Sequence, residues 1–136
     1  MKRKLILAGV LLLLLIVGGL LGKKFLIGTR PFRNLSAEDI KSADVELIPP
    51  GVIIQIGQKK LPELVDILNR TVIYQEDNSY VEYDGQGVVF TIRKTDGTQV
   101  TVIAYNPFLV IDGVGYRTKY GPCQDLSSFA NDLRRN

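Results

Sequence analysis

The sequence predicts an α+β protein, in which an N-terminal transmembrane helix precedes a two-layer sandwich of a mainly antiparallel sheet, about six to eight short strands, packed by two helices. Three observations support this prediction. An uncharged apolar run covers residues 5–21. The spacing of apolar residues changes from helical to strand-like at residue 71. Two Asp-Gly dipeptides, at 96–97 and 112–113, suit tight hairpin turns and therefore predict antiparallel pairing.

The apolar run has the dimensions of a membrane-spanning helix. At 1.5 Å per residue its seventeen residues span roughly 26 Å, and basic residues at both ends can reach the lipid headgroups. We therefore predict a transmembrane signal-anchor over residues 1–27. A buried core helix would need polar positions at helical spacing, and a lipoprotein signal would need a cysteine near the end of the run; the run has neither. A signal peptide cleaved near Gly19 is the alternative that stays open.

The basic flanks predict the orientation of this helix. The cations at 2–4, together with the amino group, outweigh those at 23–24, which favours an N-terminus on the inner side. The rest of the chain would then lie outside the cytoplasm, on a bacterial cytoplasmic membrane crossed once. Pro31 prevents continuation of the helix, so residues 28–35 are predicted to be a linker. An extracytoplasmic α+β domain is predicted over residues 36–136.

Local signals place the strands of this domain. Ser36 and Asp39 form a capping-box pair for one helical turn before the first strand. A Pro-Pro-Gly bend at 49–51 separates two short strands, one around Val45 and one over residues 52–56. From residue 71, β-branched and aromatic residues indicate six more strands. These lie at 71–75, 80–83, 88–93, 98–105, 108–111 and 114–119.

Two helices are predicted to cover one face of the sheet. Apolar residues recur at helical spacing over residues 61–69, and Pro62 suits the first turn of that helix. Pro122 begins a last helix, whose apolar stripe must pack on something. The stripe consists of Leu126, Phe129, Ala130 and Leu133. The antiparallel sheet is the natural partner of both helices.

The distribution of charge excludes nucleic acid as a partner. The chain has a net charge of +3, but five of its seventeen basic residues flank the apolar run. From Arg30 onward, twelve basic residues accompany fourteen acidic ones, a net charge of −2. Such a domain lacks the basic surface that neutralises phosphates.

The composition also argues against an enzyme. The chain has no histidine, and none of its serines begins a Ser-x-x-Lys sequence, so the usual acyl-transfer arrangements are missing. Cys123 is predicted to be a buried apolar filler, with a reactive thiol as the alternative. Glu82 and Asp84 would share one face of a predicted strand, but nothing completes a calcium site there. We predict no catalytic, cofactor-binding or metal-binding residues.

One surface stands out as a candidate for interaction, the segment Tyr116, Arg117, Thr118, Lys119 and Tyr120. Strand alternation would place its tyrosines and threonine on one face and its cations on the other. Tyrosine and arginine are favoured at binding hot spots. Other tyrosines would extend the same aromatic surface, namely Tyr74, Tyr80, Tyr83 and Tyr105. The alternative is that the two tyrosines of the segment pack under the last helix.

Four short stretches of sequence carry a resemblance. They are 31–40 (Pro-Phe-Arg-Asn-Leu-Ser-Ala-Glu-Asp-Ile), 83–86 (Tyr-Asp-Gly-Gln), 110–113 (Val-Ile-Asp-Gly) and 116–123. The pattern resembles a family of small uncharacterised outer domains of Gram-positive, clostridial-type bacteria. Members of that family occur as membrane-tethered proteins or lipoproteins, and similar domains follow membrane metallopeptidases of the β-lactam-sensor type. The resemblance implies a fold and no catalytic residues, and this chain lacks the lipid-accepting cysteine of the lipoprotein members.

These observations favour a tethered binding or sensing module of the cell envelope, which presents a sheet face or edge to an envelope protein or cell-wall ligand. The alternative is a structural accessory subunit of a membrane protein complex, in which the apolar helix itself makes the contact.

Overall fold

The protein is described by a computed structural model over residues 2–136, and its side chains over residues 2–20 and 27–136. Helix α1 (Lys2–Leu26) contains the apolar run. Its first nineteen residues, Lys2–Leu20, have a mean hydropathy of 2.2 and are 0% buried, so this helix is long and apolar enough to cross a membrane. The basic side chains at 23–24 lie outside the described residues.

The domain is built on one seven-stranded antiparallel sheet, which confirms the predicted α+β fold. Its strands are β1 (Ile40–Ile48), β2 (Val52–Gln55), β3 (Ile73–Glu76), β4 (Gly87–Lys94), β5 (Gln99–Tyr105), β6 (Phe108–Ile111) and β7 (Val114–Thr118). Their order across the sheet is β2-β1-β4-β5-β6-β7-β3. Strands β4 to β7 are therefore joined by successive hairpins, and β2 and β3 form the two edges.

The two Asp-Gly dipeptides lie in hairpin turns, but the turns differ. Asp112 and Gly113 both have positive φ, 48° and 85°, as a two-residue hairpin loop requires. At the β4–β5 turn only Gly97 has positive φ, 88°. There the carboxylate of Asp96 accepts hydrogen bonds from the amide and the hydroxyl of Thr98, at 2.9 and 2.6 Å. This local bonding stabilises a three-residue loop instead.

Helices α2 (Leu61–Arg70) and α3 (Tyr120–Arg135) pack on one face of the sheet, as predicted. Leu64 and Leu68 of α2 and Leu126 of α3 are fully buried there. Phe129 of α3 meets Phe90 of β4 with 6.2 Å between ring centroids. The buried side chains of β1 alternate along the strand, as expected when one face of a sheet is covered.

The predicted strand at 80–83 is wrong. Residues Ser79–Glu82 form a turn of 3-10 helix in the connection between β3 and β4. The physical reason is that Tyr80 and Tyr83 both pack on Phe108. Side chains three residues apart lie on the same side of a 3-10 turn, whereas alternation in a strand would point them to opposite faces. The earlier turn at Ala37–Asp39 has the predicted capping box, with the Ser36 amide donating to the Asp39 carboxylate at 3.0 Å.

Residues 28–35, predicted as a linker, pack against the domain. Thr29 forms an antiparallel bridge with Ile73 of the edge strand β3, through two hydrogen bonds of 2.8 Å. Phe32 is buried in the core. The side-chain amide of Asn69 donates to the carbonyl oxygens of Phe32 and Leu35, at 2.5 and 3.0 Å. The β3 edge is thus joined to the chain that leaves α1, and the β2 edge lies at the opposite end of the sheet.

Candidate binding cleft

The two faces of the sheet differ in what covers them. In the described part of the chain, both α2 and α3 pack on the face that carries Val45, Phe90 and Val102. The strand register places Ile53 and Val89 on the opposite face, because cross-strand neighbours point to the same side of a sheet. We call this second side the open face.

One end of the open face is sealed by the connection between β3 and β4. The ring centroids of Tyr80 and Tyr83 lie 6.4 and 5.4 Å from that of Phe108. The guanidinium carbon of Arg117 lies 4.8 Å from the same centroid. Phe108 and its neighbour Val110 are fully buried, although no helix covers this side of their strand within the described residues. The connection therefore acts as a local cover.

Gly115 of β7 allows this cover to lie close to the sheet. A Cβ atom at this position would be 2.6 Å from a ring carbon of Tyr80, which is closer than van der Waals contact permits. The Gly115 amide donates to the side-chain oxygen of Asn78 at 2.8 Å, and its carbonyl oxygen accepts from the Asp77 amide at 2.8 Å. Glycine is therefore needed here for close approach rather than for an unusual backbone angle.

A charged pair fixes the start of the cover. The Nε atom of Arg117 donates to the Asp77 carboxylate at 2.8 Å. Hydrogen bonds from Ser79, with the Arg117 guanidinium as a further cause, lower the pKa of Asp77 to about 2. The carboxylate is thus ionised at neutral pH and holds both partners.

Where the cover ends, the open face contains a cleft of about 220 Å³. Its walls are mainly apolar and aromatic. They consist of Ile48, Tyr80, Tyr83, Gly85, Gly87, Val89, Ile103 and Tyr105. Tyr83 is 54% exposed and Ile48 is 47% exposed, and Ile53 beside them on the open face is 67% exposed. Apolar side chains therefore stay in contact with solvent around this cleft.

The charge around the cleft is negative. Glu46 is the cross-strand neighbour of Val89, and Glu82 and Asp84 flank Tyr83 in sequence. No cation pairs with these three carboxylates among the described side chains. The arginines of the open face are already engaged, because Arg93 pairs with Asp44 at 2.9 Å and Arg117 pairs with Asp77.

The structure divides the interaction surface predicted at 116–120. Tyr116 is half-buried against the core below the helices, and Thr118 is buried with its hydroxyl donating to the Val72 carbonyl oxygen at 2.8 Å. Lys119 and Tyr120 are exposed, and Tyr120 is the first residue of α3 rather than part of a strand.

The fifth member, Arg117, lies on the open face together with three of the other tyrosines named from the sequence. It contacts Phe108, on which Tyr80 and Tyr83 pack. Tyr105 lines the cleft beside them. The aromatic surface expected from the sequence therefore lies on the open face, and the segment 116–120 contributes only Arg117 to it.

The remaining candidates for chemistry give no site. Cys123 is fully buried, as predicted, and burial raises the pKa of its thiol to about 12, so the reactive thiolate is not formed at neutral pH. Glu82 and Asp84 do not lie on a strand. Within the described residues, no group of three or more His, Cys, Asp or Glu side chains could hold a metal ion.

Ile48, Val89 and Ile103 of the cleft were missed from the sequence, although a signal was present. Strand β4 contains the pair Val88-Val89 and β5 contains Val102-Ile103, so each strand is apolar on both faces at this point, whereas the rest of the open face carries Thr91, Arg93, Gln99 and Thr101. A strand with one solvated face would alternate with polar residues. Such a doubled apolar pair indicates a second contact surface.

Comparisons with protein-family models, with curated proteins and with solved structures found no match for this chain. The resemblance based on residues 31–123 therefore stays a prediction, and the proposals below depend on the geometry of the molecule itself.

Proposed function

We propose that this protein is a membrane-anchored binding module of the bacterial cell envelope, and that the cleft on the open face is its binding site. Helix α1 serves as a single-pass anchor, and the sheet domain lies outside the cytoplasm. The ligand is a partner of the envelope, either a protein or a cell-wall component. The interaction involves no nucleic acid and no catalysis.

The observation that carries this proposal is the exposed aromatic cleft. Folding has covered the other face with two helices and part of this face with the β3–β4 connection. It has left Ile48, Tyr83 and Ile53 in water, where they cost solubility and add little to the stability of the domain. Tyrosine in a concave apolar setting is typical of binding hot spots.

The anchor supports the location. Residues 5–20 present uncharged, mainly apolar side chains on all sides, so lipid is a better environment for this part of α1 than water. The cations at 2–4 favour retention of this end in the cytoplasm. The five basic residues that flank the apolar run then serve the membrane, and the rest of the chain has a net charge of −2.

Photocrosslinking in cells tests the binding site. The full chain would carry p-benzoylphenylalanine at position 103 in the cleft, or at Ser128 on the exposed side of α3 as a matched control. We expect a discrete crosslinked species from position 103 and none from position 128. Equal crosslinking at both positions, or none at either, would contradict the proposal.

The orientation has its own test. A Ser128→Cys variant can be treated with a membrane-impermeant maleimide in intact cells, because native Cys123 is buried and gives little background. We expect labelling of the variant before lysis. Labelling that requires lysis would place the domain in the cytoplasm.

An accessory subunit of a membrane protein complex is the second candidate, and the packing of residues 28–35 favours it. Thr29 and Phe32 join the domain directly to the chain leaving α1, so a contact made by the helix could set the position of the domain. Replacing residues 1–26 with an unrelated anchor separates the two functions. A binding module would keep its crosslink at position 103, whereas an accessory subunit would lose its association with the complex.

A further inference from the structure

We infer that the cleft on the open face receives the side chain of a lysine or arginine from an extended polypeptide segment. This inference rests on the proposed function, because it names the chemistry of the ligand for the same cleft. Size, charge and aromatic content point to it independently.

The cleft is smaller than a typical small-molecule pocket. Its volume is about 220 Å³, which is below the roughly 300–1,000 Å³ of typical small-molecule pockets. A cleft of this size accommodates one long side chain. Ile48 forms one wall of the cleft, and the exposed Ile53 lies beside the cleft on the same face, where it can contact an apolar residue next to the inserted one.

The charge favours a cation. Glu46 is the cross-strand neighbour of the cleft residue Val89, and Glu82 and Asp84 flank the cleft residue Tyr83 in sequence. None of the three pairs with a cation among the described side chains, and the two arginines of this face are held by Asp44 and Asp77. The other cations near these strands, Lys41 and Lys94, lie toward the opposite end of β1 and β4. A ligand ammonium or guanidinium would therefore meet uncompensated negative charge.

The aromatic walls favour the same kind of group. Three tyrosines, Tyr80, Tyr83 and Tyr105, line the cleft, and a cation over the face of an aromatic ring is attracted by the negative charge of that face. The protein already contains this interaction next to the cleft. The Arg117 guanidinium carbon lies 4.8 Å from the Phe108 ring centroid, with its Nε bonded to a carboxylate. A ligand cation between the tyrosines and Glu46 or Asp84 would repeat that arrangement.

Peptide titration of the full chain, in bilayers of neutral phosphatidylcholine, tests the inference. Three acetylated and amidated tripeptides are compared, Leu-Lys-Leu, Leu-norleucine-Leu and Leu-Glu-Leu, which share their flanks and differ in charge. The NMR chemical shifts of the backbone amides of Tyr83, Gly87 and Ile103 report on binding in the cleft. We expect saturable shifts with the lysine peptide, at least about fivefold weaker binding with norleucine, and no saturation with glutamate.

Two pairs of variants locate the binding. Gly87→Ala adds a methyl group to the cleft floor at ordinary contact distance, 3.7 Å from Ile103 and 3.9 Å from Tyr105, so the fold is retained while space is lost. Gly57→Ala, where no atom lies within 4 Å, is its control. We expect Gly87→Ala to weaken lysine-peptide binding at least about threefold and Gly57→Ala to leave it unchanged.

The second pair removes charge. Glu46→Gln combined with Asp84→Asn should weaken binding of the lysine peptide at least about threefold and leave binding of the norleucine peptide unchanged. Glu38→Gln, which lies outside the cleft, is the control and should change the affinity for neither peptide.

The outcomes separate the inference from the proposed function. Equal binding of the norleucine and lysine peptides would show that the positive charge of the side chain is not recognised. The cleft would then bind an apolar side chain, and the inference would be wrong. If Gly87→Ala leaves the peptide-induced chemical-shift changes and the affinity unaltered, the peptide binds outside the cleft and the inference is wrong. If no peptide shifts the cleft amides while the position 103 crosslink persists, the inference is wrong and the binding module stands. If that crosslink is also missing, the proposed function is wrong as well.

Discussion

Both faces of the sheet carry apolar strand residues, more on the covered face than on the open face, and the two faces use them differently. On the covered face, Val45, Phe90 and Val102 are fully buried under α2 and α3. On the open face, Ile48 and Ile53 remain exposed. The first face holds the domain together, and the second keeps apolar surface in water. The proposed binding function accounts for this difference, because the exposed apolar residues of the open face would then contact another molecule.

The open face is itself divided. The β3–β4 connection buries Phe108 and Val110 at one end, and beyond Tyr83 the same face opens into the cleft. Because the cover and the cleft share Tyr80 and Tyr83, loosening the cover should alter the cleft. The stability of the connection and the shape of the cleft are therefore coupled.

Truncating one apolar residue on each face tests whether the two faces contribute differently to the stability of the domain. Phe90→Ala should lower the free energy of unfolding by about 3–5 kcal/mol, because it leaves a cavity against Phe129. Ile103→Ala should cost below about 1 kcal/mol, because its side chain is only half-buried in the cleft. Denaturant unfolding of the full chain in micelles measures both. An Ile103→Ala cost as large as that of Phe90→Ala would make the open face part of the core.

A smaller effect is expected where the cover meets the sheet. Gly115→Ala should cost about 1–3 kcal/mol, because its methyl group would clash with Tyr80 and with the backbone at Asp77. The ring signals of Tyr80 and Phe108 should also shift, as the connection moves away. Gly87→Ala on the same face provides the neutral comparison. Unchanged stability and unchanged ring signals in Gly115→Ala would show that the cover does not depend on this close approach.

The β3 edge of the sheet can be tested through Asn69. Asn69→Ala removes the hydrogen bonds to the Phe32 and Leu35 carbonyl oxygens and should cost about 1–2 kcal/mol. Trypsin cleavage after Arg33 should become faster, since the segment is released. Asn131→Ala, which removes side-chain hydrogen bonds on α3, is the control. Equal cleavage in both variants would mean that Asn69 does not hold the segment.

The smallest expected effect is a response of the cover to acid. Because the pKa of Asp77 falls from its usual 3.8 to about 2 on folding, the ionised carboxylate favours the folded cover. That contribution is complete above about pH 4 and is lost as the pH falls through about 2. Tyr80 signals should therefore change in this window in the native chain and not in Asp77→Asn. An identical acid response in Asp77→Asn would assign the change to other carboxylates.

Much of the fold could be predicted because it depends on local patterns. Residues 5–21 are apolar without interruption, Pro62 and Pro122 lie in the first turns of α2 and α3, and the hairpin glycines mark the turns of the sheet. These signals act within a few residues, so one sequence is enough to place them. The predicted strand at 80–83 failed because its tyrosines pack on Phe108, more than twenty residues away along the chain.

By itself the sequence determined the elements of this protein: an apolar helix, an antiparallel sheet, two covering helices and a buried Cys123. Only the tertiary structure decided which tyrosines share a face, that residues 28–35 pack on β3, and that an acidic, aromatic cleft stays open between Ile48 and Tyr105. The physical reason is the separation along the chain of the residues that interact. Helix and hairpin formation is governed by neighbouring residues, whereas a cleft arises from strands β1, β4 and β5 and a connection that meet only when the chain is folded.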